Sequence, residues 1–404
     1  MKLMIIAMLL LSSCSSGDTA AQTGQKPYIV FHQGDVSALD TTVRKVGGKL
    51  KKKLKYNKAS VYYLTDEQAQ DLKQKGLKLE EDGEVTTQEI QITEEVKTET
   101  SGPDSLGNCI RSVRWTTTYA CSNRPKPSPT PSPTPTPSPT PTRPPTGQIP
   151  WNVKQAKADQ AWAKTKGKGV KVCVVDTGKP NHPDLPSGPA ENFSSSPTVD
   201  DHHGHSTHVS GTVLARGKTI FGMAPEAQLI IAKSLSDTGS GSWSSVSEGI
   251  RYCVSKGAHI INMSLGGSIG SELLQNALKD ALSAGVLSIC AAGNARRTPV
   301  SYPARYSECL AISAIDKNEK FASFSSWGPS VVYTCGGVGV PSTCKGGAIC
   351  SKSGTSMSTP CVSGVMALRW ARFGAPANLA TRKLSNLTRD QQGNGLVDAE
   401  RSTR

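Results

Sequence analysis

Apolar and polar positions follow a regular pattern over residues 149–404, where short runs rich in Val and Ile are separated by amphipathic stretches and Gly-rich turns. The apolar runs predict buried strands at 170–175, 229–232, 259–263, 286–292 and 310–314. The stretches between them predict helices at 245–255 and 272–284. Apolar strands that alternate with helices are typical of a parallel sheet with helices on both faces. We therefore predict an α/β fold whose functional site lies at the carboxyl ends of the strands.

A smaller pattern covers residues 27–85. Tyr28–Phe31 and Ser60–Leu64 are short apolar runs and predict two strands. Thr65 and the acidic residues after it are typical of a helix N-terminus, and Gly76 is typical of the residue that follows a helix. The order of these elements predicts a small α+β module of the ferredoxin-like type.

The N-terminus has the pattern of a targeting segment. Lys2 is followed by the apolar stretch 3–11, which is too short to span a bilayer, and then by small residues. This order predicts a signal peptide over residues 1–13 and an exported protein. The end of the stretch, Leu11-Ser12-Ser13-Cys14, resembles the lipobox of bacterial lipoproteins, which implies a lipidated Cys14, membrane attachment and a tether over 14–26. The alternative is a plain signal peptide with an unrelated cysteine.

Residues 86–148 predict a linker rather than a domain. Its first part is polar, and its segment 125–145 reads PKPSPTPSPTPTPSPTPTRPP. Repeated proline holds the backbone in an extended polyproline helix and leaves no side chains for a core. At about 3.1 Å per residue, such a spacer reaches roughly 65 Å.

The net charge of +14, from 46 Lys and Arg against 32 Asp and Glu, changes this picture little. The excess is spread along the chain, and its densest run, residues 45–58, contains one aromatic residue, Tyr56. Nucleic-acid sites combine clustered basic residues with aromatic ones. We therefore expect this run to be a solvated face, and no nucleic-acid partner.

The cysteines support export. The chain has eleven, so ten remain without Cys14, enough for up to five disulfides in an oxidising compartment. Cys344 and Cys350 flank a short turn, which is compatible with a hairpin disulfide or with two free thiols.

Three segments carry reactive side chains: Asp-Thr-Gly at 176–178, His-Ser-Thr-His-Val-Ser-Gly-Thr at 205–212 and Gly-Thr-Ser-Met-Ser-Thr-Pro at 354–360. A serine hydroxyl becomes an effective nucleophile when a histidine accepts its proton and a carboxylate fixes the tautomer of that histidine. The chain order Asp, His, Ser fits a known arrangement of these groups. The pattern predicts Asp176, His208 and Ser356 as a catalytic triad.

These motifs, and residues 149–404 around them, resemble the catalytic domain of the subtilisin-like (subtilase) serine protease family. The histidine segment resembles the family's His-Gly-Thr-His-Val-Ala-Gly-Thr, with Ser206 in place of a glycine. The resemblance implies a secreted or surface-anchored serine endopeptidase of broad specificity that cleaves polypeptides and requires no cofactor. Residues 27–85 resemble the inhibitor-type propeptide of the family, which implies a precursor inhibited by its own propeptide.

The resemblance also implies roles outside the triad. Asn294 matches the asparagine of the family's oxyanion hole, with the backbone N–H of Ser356 as the second donor. Two segments resemble the walls of the substrate cleft, which bind a peptide backbone by strand pairing: Gly239-Ser240-Gly241 and Ser264-Leu265-Gly266. Gly266 has no side chain, so the resemblance implies a main specificity pocket with room for large apolar side chains of the substrate. Trp243 either roofs an outer apolar subsite or packs at the surface.

Asp184 matches a family position that often ligates calcium. The loop 214–219 carries Arg216 and Lys218 and lacks the usual asparagine, and two cations oppose Ca²⁺. A calcium site at Asp184 and a metal-free site stabilised by disulfides are the two alternatives.

Two other classes of protein are the alternatives. One is a binding protein on the same scaffold, which requires a broken triad, and the three motifs show no break. The other is a surface lipoprotein whose Pro/Thr-rich segment is the functional part. Both predict a chain without a reactive serine.

Overall fold

The computed structural model describes residues 24–32, 36–90 and 146–404. The predicted signal peptide, Cys14, most of the tether and the Pro/Thr-rich spacer lie outside the described residues. Among the residues that are described, no helix has both the length and the apolar character needed to cross a membrane.

Residues 26–81 form the predicted small α+β module, here called the N-terminal module. Its elements are β1 (Lys26–Phe31), α1 (Val36–Lys45), β2 (Lys49–Lys53), β3 (Ala59–Leu64), α2 (Asp66–Gln74) and β4 (Leu79–Glu81). The strands form an antiparallel sheet in the order β2-β3-β1-β4, as in ferredoxin-like folds. Thr65 caps α2 as predicted, because its hydroxyl accepts the N–H of Gln68, whose side chain accepts the N–H of Thr65.

The chain continues past this module into another strand, β5 (Glu84–Thr87). The predicted module boundary at residue 85 and the predicted linker start at 86 are therefore wrong. Sequence periodicity did not mark β5 because its residues are polar, apart from Val85, and its strand pairing is supplied by a distant part of the chain.

Residues 146–404 form the larger part of the described structure. Its first half contains α3 (Trp151–Gln155), α4 (Ala158–Ala161), β6 (Lys171–Asp176), β7 (Ala190–Asn192), α5 (His205–Leu214), β8 (Gln228–Lys233), β9 (Ser240–Ser242), α6 (Trp243–Ser255), β10 (Ile260–Met263), β11 (Leu265–Gly266) and α7 (Glu272–Ser283). Its second half contains β12 (Leu287–Ala291), β13 (Cys309–Ile315), β14 (Val331–Gly336), β15 (Val340–Thr343), β16 (Ile349–Lys352), α8 (Thr355–Phe373), β17 (Thr381–Arg382), α9 (Arg389–Gln392), β18 (Leu396–Val397) and α10 (Ala399–Ser402).

The central sheet has nine strands in the order β17-β18-β14-β13-β12-β10-β6-β8-β7, parallel except for β17. Alternate residues of β6 enter different cores. Val172 and Val174 pack in the core that contains buried residues of α5 and α8, whereas Cys173 and Val175 pack in the core that contains residues of α6 and α7. Successive side chains of a strand point to opposite faces. The predicted α/β fold with helices on both faces is thus confirmed.

Four disulfides connect the eight cysteines of the described residues. The Cys344–Cys350 bridge closes the β15–β16 hairpin, which confirms the first of the two alternatives for that pair. The other three each join two different secondary-structure elements: Cys173–Cys253, Cys290–Cys309 and Cys335–Cys361.

Candidate active site

The carboxyl end of β6 places a buried carboxylate beside the first residue of α5. Asp176 is the last residue of β6, and its Oδ1 and Oδ2 lie 2.8 and 3.0 Å from Nδ1 of His205. The N–H of Thr177 donates to the same carboxylate at 2.7 Å. Both side chains are fully buried. A carboxylate accepts hydrogen bonds only, so Nδ1 carries the proton and Nε2 of the neutral ring is left as a base.

The prediction of His208 as the histidine of the triad is wrong. His208 lies one turn further along α5, and its Nε2 is 3.0 Å from the carbonyl oxygen of Val340. Burial, with help from the charges of Lys352 and His205, lowers the pKa of His208 to about 3. The ring is therefore neutral and donates Nε2–H to the carbonyl, which leaves it no role as a base towards a serine. The motif has two histidines three residues apart, and their spacing alone does not show which one starts the helix.

Asp201, which sequence reasoning missed, holds the start of α5 against the end of β6. Its carboxylate accepts the N–H groups of Gly204 and Thr207, both at 2.7 Å, at the N-terminus of the helix. It also accepts the Thr177 hydroxyl at 2.8 Å, and that hydroxyl in turn accepts the N–H of Ser206 at 3.0 Å. This network fixes His205 next to Asp176. The available signal was an acidic residue a few positions before the histidine motif.

The electrostatic setting of His205 favours its protonated form. Burial acts to lower its pKa, but the charge of Asp176 and the hydrogen bond to it outweigh burial and raise the pKa above the usual 6.5. Glu89 adds to the rise and Lys352 opposes it. Nε2 of His205 is buried and has no hydrogen-bond partner among the described residues. The arrangement is a base with its accepting atom unoccupied.

Ser356 and Asn294 lie together at the N-terminus of α8, which packs against α5. The Ser356 hydroxyl donates to the carbonyl oxygen of Ser264 at 2.9 Å. The side-chain oxygen of Asn294 accepts from Thr355, from its N–H at 3.0 Å and from its hydroxyl at 2.9 Å. This fixes the amide so that Nδ2 of Asn294 is a buried donor without a partner among the described residues. The Ser356 hydroxyl and the unpaired Nδ2 of Asn294 therefore lie at the same helix end.

Strand β5 lies between the two segments predicted to bind a peptide backbone. It forms a three-stranded antiparallel sheet with them in the order β11-β5-β9. On one side Thr87 pairs with Leu265, and the N–H of Gln88 donates to Ser264 at 3.2 Å. On the other side the N–H of Thr87 donates to Gly239 at 3.0 Å. The pairs on that side are Thr86 with Ser240 and Val85 with Gly241. Gly266 pairs with Thr86, so the structure brings all six of the predicted residues to one cleft.

At the end of β5 a backbone carbonyl meets Ser356. The Gln88 carbonyl oxygen accepts the N–H of Ser356 at 3.1 Å. A Cβ added to Gly354 would collide with this oxygen and would lie 3.3 Å from Nδ2 of Asn294, so the oxygen and the amide border the same small space. Gly354 has φ of 149°, a conformation that only glycine adopts readily. The geometry can polarise a peptide carbonyl next to a serine hydroxyl.

Trp243 packs beneath this strand rather than at the surface. It is buried in the same apolar cluster as Val85, and its Nε1 donates to the carbonyl of Ile269 at 3.0 Å. Its burial rules out surface packing, and a role of Trp243 in an apolar subsite stays a prediction.

The residues around Asp184 do not fit a calcium site, the first of the two alternatives for this position. Oδ1 of Asp184 accepts the N–H of Lys218, and Oδ2 accepts the N–H groups of Thr219 at 2.9 Å and Ile220 at 3.2 Å as well as the Thr219 hydroxyl. Burial acts to raise the pKa of Asp184, but these hydrogen bonds outweigh burial and lower it. Calcium requires several oxygen ligands. Here donors converge on the carboxylate, and within the described ranges no cluster of three or more His, Cys, Asp or Glu side chains could hold a metal ion.

Comparison with known proteins identifies the family of the chain. The Subtilase family (Peptidase_S8) matches residues 167–399. The thermostable alkaline protease of Halalkalibacterium halodurans is 43% identical over 265 residues, which cover 63% of this chain and 73% of that protein. Subtilisin Savinase of Lederbergia lenta is 39% identical over 266 residues, or 63% and 99% of the two chains. Thermitase of Thermoactinomyces vulgaris is 37% identical over 233 residues, or 56% and 84%. The chain therefore belongs to the subtilase family and is a subtilisin-type serine endopeptidase.

Proposed function

We propose that the chain is an exported precursor whose protease uses Ser356 as nucleophile, His205 as general base and Asp176 to orient and stabilise His205. The observation that carries this proposal is the peptide carbonyl of Gln88, which accepts the N–H of Ser356 beside the unpaired amide of Asn294. That is the position a substrate carbonyl must take before a serine attacks it.

Attack requires one change in the site as it stands. The Ser356 hydroxyl donates to Ser264, whereas Nε2 of His205 has no partner. Rotation of the hydroxyl towards His205 allows the proton to pass to Nε2 as Ser356 Oγ bonds to the carbonyl carbon. The resulting imidazolium is stabilised by Asp176, whose carboxylate is held in place by the N–H of Thr177.

The negative oxygen formed by this attack has two donors. The N–H of Ser356 already donates to the carbonyl of Gln88, and Nδ2 of Asn294 borders the same space. Both are fixed before the reaction begins, the first by the helix α8 and the second by Thr355. Preorganised donors of this kind are usually the largest single contribution to acyl-transfer catalysis.

The N-terminal module acts as an inhibitory propeptide. Its β5 extension fills the substrate cleft, and two carboxylates hold it on the protease by capping helices. Glu80 accepts the N–H groups of Glu272 and Leu273 at the start of α7, at 2.8 and 3.0 Å. Asp82 accepts the N–H of Ser244 at 2.8 Å at the start of α6. Negative charge at a helix N-terminus is stabilising, so these two contacts strengthen the binding of the module to the protease. The module therefore blocks the cleft until the chain that joins it to the protease is cut.

A third contact ties the module to the outer face of α6. The carboxylate of Glu248 accepts the N–H groups of Lys55 and Tyr56, at 2.6 and 2.8 Å, and the side-chain amide of Asn57. The basic run that includes these residues is thus partly an interface with the protease rather than only a solvated face.

The proposal has four further parts: export, lipid attachment through Cys14, broad specificity directed at the peptide backbone, and independence of a metal. Export is supported by the signal-peptide pattern and by the four disulfides, which persist in oxidising compartments. Backbone pairing on both sides of β5 supplies affinity for any extended polypeptide.

The test compares self-cleavage of the full-length wild type with that of Ser356→Ala, because self-cleavage does not require prior release of the propeptide. Ser307→Ala, a change at an exposed serine, is the matched control. We expect self-cleavage by the wild type and the control and none by Ser356→Ala. Self-cleavage by a folded Ser356→Ala protein would contradict the proposed mechanism.

A further inference from the structure

The path of the chain beyond β5 identifies a particular peptide bond in the cleft. Strand pairing continues through Gln88, and the N–H of Ile90 donates to the carbonyl of Ser353 at 2.7 Å. The chain is therefore held on both sides of Gln88 and Glu89. Because the carbonyl of Gln88 is the one that contacts Ser356, the bond presented to the nucleophile is the bond between Gln88 and Glu89.

The side chain of Gln88 fits the pocket beside this bond. Its Nε2 donates to the carbonyl of Gly266 at 3.3 Å, and its Oε1 accepts the N–H of Asn294 at 3.2 Å. Both ends of the amide are thus satisfied by main-chain groups of the protease. Although the sequence led us to expect large apolar side chains here, a polar side chain of intermediate length is accommodated without unpaired atoms.

The residue after the bond meets a cation. Both carboxylate oxygens of Glu89 lie 2.9 Å from Nζ of Lys352. The side chain of Glu89 is 8% exposed and that of Lys352 is 18% exposed, so the pair is largely removed from water. Exposed ion pairs contribute little, whereas a largely buried carboxylate that loses its partner is costly.

Lys352 is held in a defined place. It is the last residue of β16, in the hairpin that the Cys344–Cys350 disulfide closes. The hairpin is fixed on α5 through His208, whose Nε2 donates to Val340 and whose carbonyl accepts the Ser342 hydroxyl. The cation therefore belongs to a rigid wall of the cleft rather than to a free surface side chain.

We propose that the protease cuts its own chain between Gln88 and Glu89, and that Lys352 selects an acidic residue immediately after the cleaved bond in this and other substrates. This rests on the proposed serine mechanism. Ser356 Oγ bonds to the Gln88 carbonyl carbon, and its proton passes through His205 to the nitrogen of Glu89 as the Gln88–Glu89 bond breaks. Water then hydrolyses the Gln88 ester, which restores Ser356 and leaves a carboxylate on Gln88 and a new N-terminus at Glu89.

The bond lies before the Pro/Thr-rich spacer in the sequence. Cleavage there leaves the spacer on the protease fragment and leaves Cys14 on the propeptide fragment. A lipid on Cys14 would thus anchor the propeptide, and the protease would stay at the membrane only while it remains bound to that propeptide.

The first test uses matured enzyme and three quenched peptides that are identical except for Glu, Gln or Lys after the cleaved bond. We expect kcat/KM to favour Glu by roughly 10-fold to 100-fold, the range for a charge-assisted hydrogen bond. Lys352→Met should abolish the preference and Lys352→Glu should reverse it towards a Lys peptide, whereas Lys317→Met at an exposed site should keep it. If Lys352→Met prefers the Glu peptide over the Gln peptide as strongly as the wild type does, the proposed role of Lys352 is wrong.

The second test follows self-cleavage of the full-length chain by mass spectrometry. We expect a product that begins at Glu89, slower cleavage in Glu89→Lys, and recovery in the double variant Glu89→Lys with Lys352→Glu. A folded wild type that cleaves itself and casein but yields another N-terminus would overturn this inference while the proposed function stands. A folded wild type that cleaves neither would overturn both.

Discussion

The two histidines of α5 provide a sharp test of the mechanism, because one is a base with an open nitrogen and the other is a neutral structural donor. Replacing His205 by Ala removes the group that faces Asp176 at 2.8 Å and leaves no acceptor for the Ser356 proton. Removal of the histidine from the triad of subtilisin itself costs about 10⁶-fold in kcat, or about 8 kcal/mol. We expect a loss of this order for His205→Ala.

His208→Gln is the matched change. The Gln amide retains a donor that can reach the carbonyl of Val340, so the β15–β16 hairpin keeps its anchor on α5. The loss is limited to packing and hydrogen-bond geometry, about 1–3 kcal/mol of stability. We expect self-cleavage to fall by no more than about 10-fold, since moving the hairpin affects positioning and not proton transfer.

The assay is the first-order rate of self-cleavage of the full-length chain, read by gel and intact mass. This choice avoids the problem that an inactive variant keeps its propeptide and therefore cannot be compared with mature enzyme on an added substrate. Circular dichroism and thermal unfolding establish that each variant is folded. A folded His205→Ala that cleaves itself at the wild-type rate, or a folded His208→Gln that has lost 10⁶-fold, would refute the assignment.

Three further outcomes are expected. Asn294→Ala should slow self-cleavage by about 10²–10³-fold, the effect of this change in subtilisin itself, with unfolding temperature little changed; an equal rate would show that Nδ2 does not contact the developing oxyanion. The rate of self-cleavage should fall on acidification with a midpoint above pH 6.5, because His205 must be neutral and Asp176 raises the pKa of His205. Lys352→Met should move this midpoint to higher pH, because the charge of Lys352 lowers the pKa of His205. A shift to lower pH in Lys352→Met would contradict this effect of the Lys352 charge. Asp184→Ala should lower the free energy of unfolding by about 3 kcal/mol, because several N–H groups lose a charged acceptor, and the loss should be the same in calcium and in EDTA; a loss seen only with calcium would restore the metal site.

The core of the large domain could be predicted from sequence because burial on both faces leaves a clear trace. Residues 170–175 and 310–314 were predicted as strands and correspond to β6 and β13, with the ends of β6 shifted by one residue. Helix α1 and strand β2 were missed because they bury few side chains and therefore leave no such trace in the sequence. Only Leu39 and Val43 of α1 are buried, and β2 has the sequence KLKKK, so neither presents enough apolar surface to mark an element.

The site was predictable as far as chain order and strand ends determine it. Asp176 and Asn294 follow buried strands, and parallel strands bring such positions to one edge. The histidine was assigned wrongly because helix start and helix interior look alike in a motif with two histidines. Asp201 and Lys352 were missed because their partners, Thr177 and Glu89, come from other parts of the chain and become neighbours only in the folded structure.

The propeptide docking contacts show the same limit. Glu80 and Asp82 are ordinary acidic residues in the sequence, and their function depends on two helix N-termini that lie about 160 or more residues further along the chain. A carboxylate becomes informative in this way only when the unpaired N–H groups it satisfies are known.

The assignment of Ser356 as the nucleophile can be tested by locating the site of modification by a fluorophosphonate, which reacts with an activated serine. The reagent is added to matured wild-type protein and to the matured Ser307→Ala control, and the adduct is located by peptide mass spectrometry. The assignment of Ser356 as nucleophile predicts one adduct per chain, at Ser356, in both proteins. A folded, mature protein that remains unlabelled, or that carries its adduct on another serine, would contradict it.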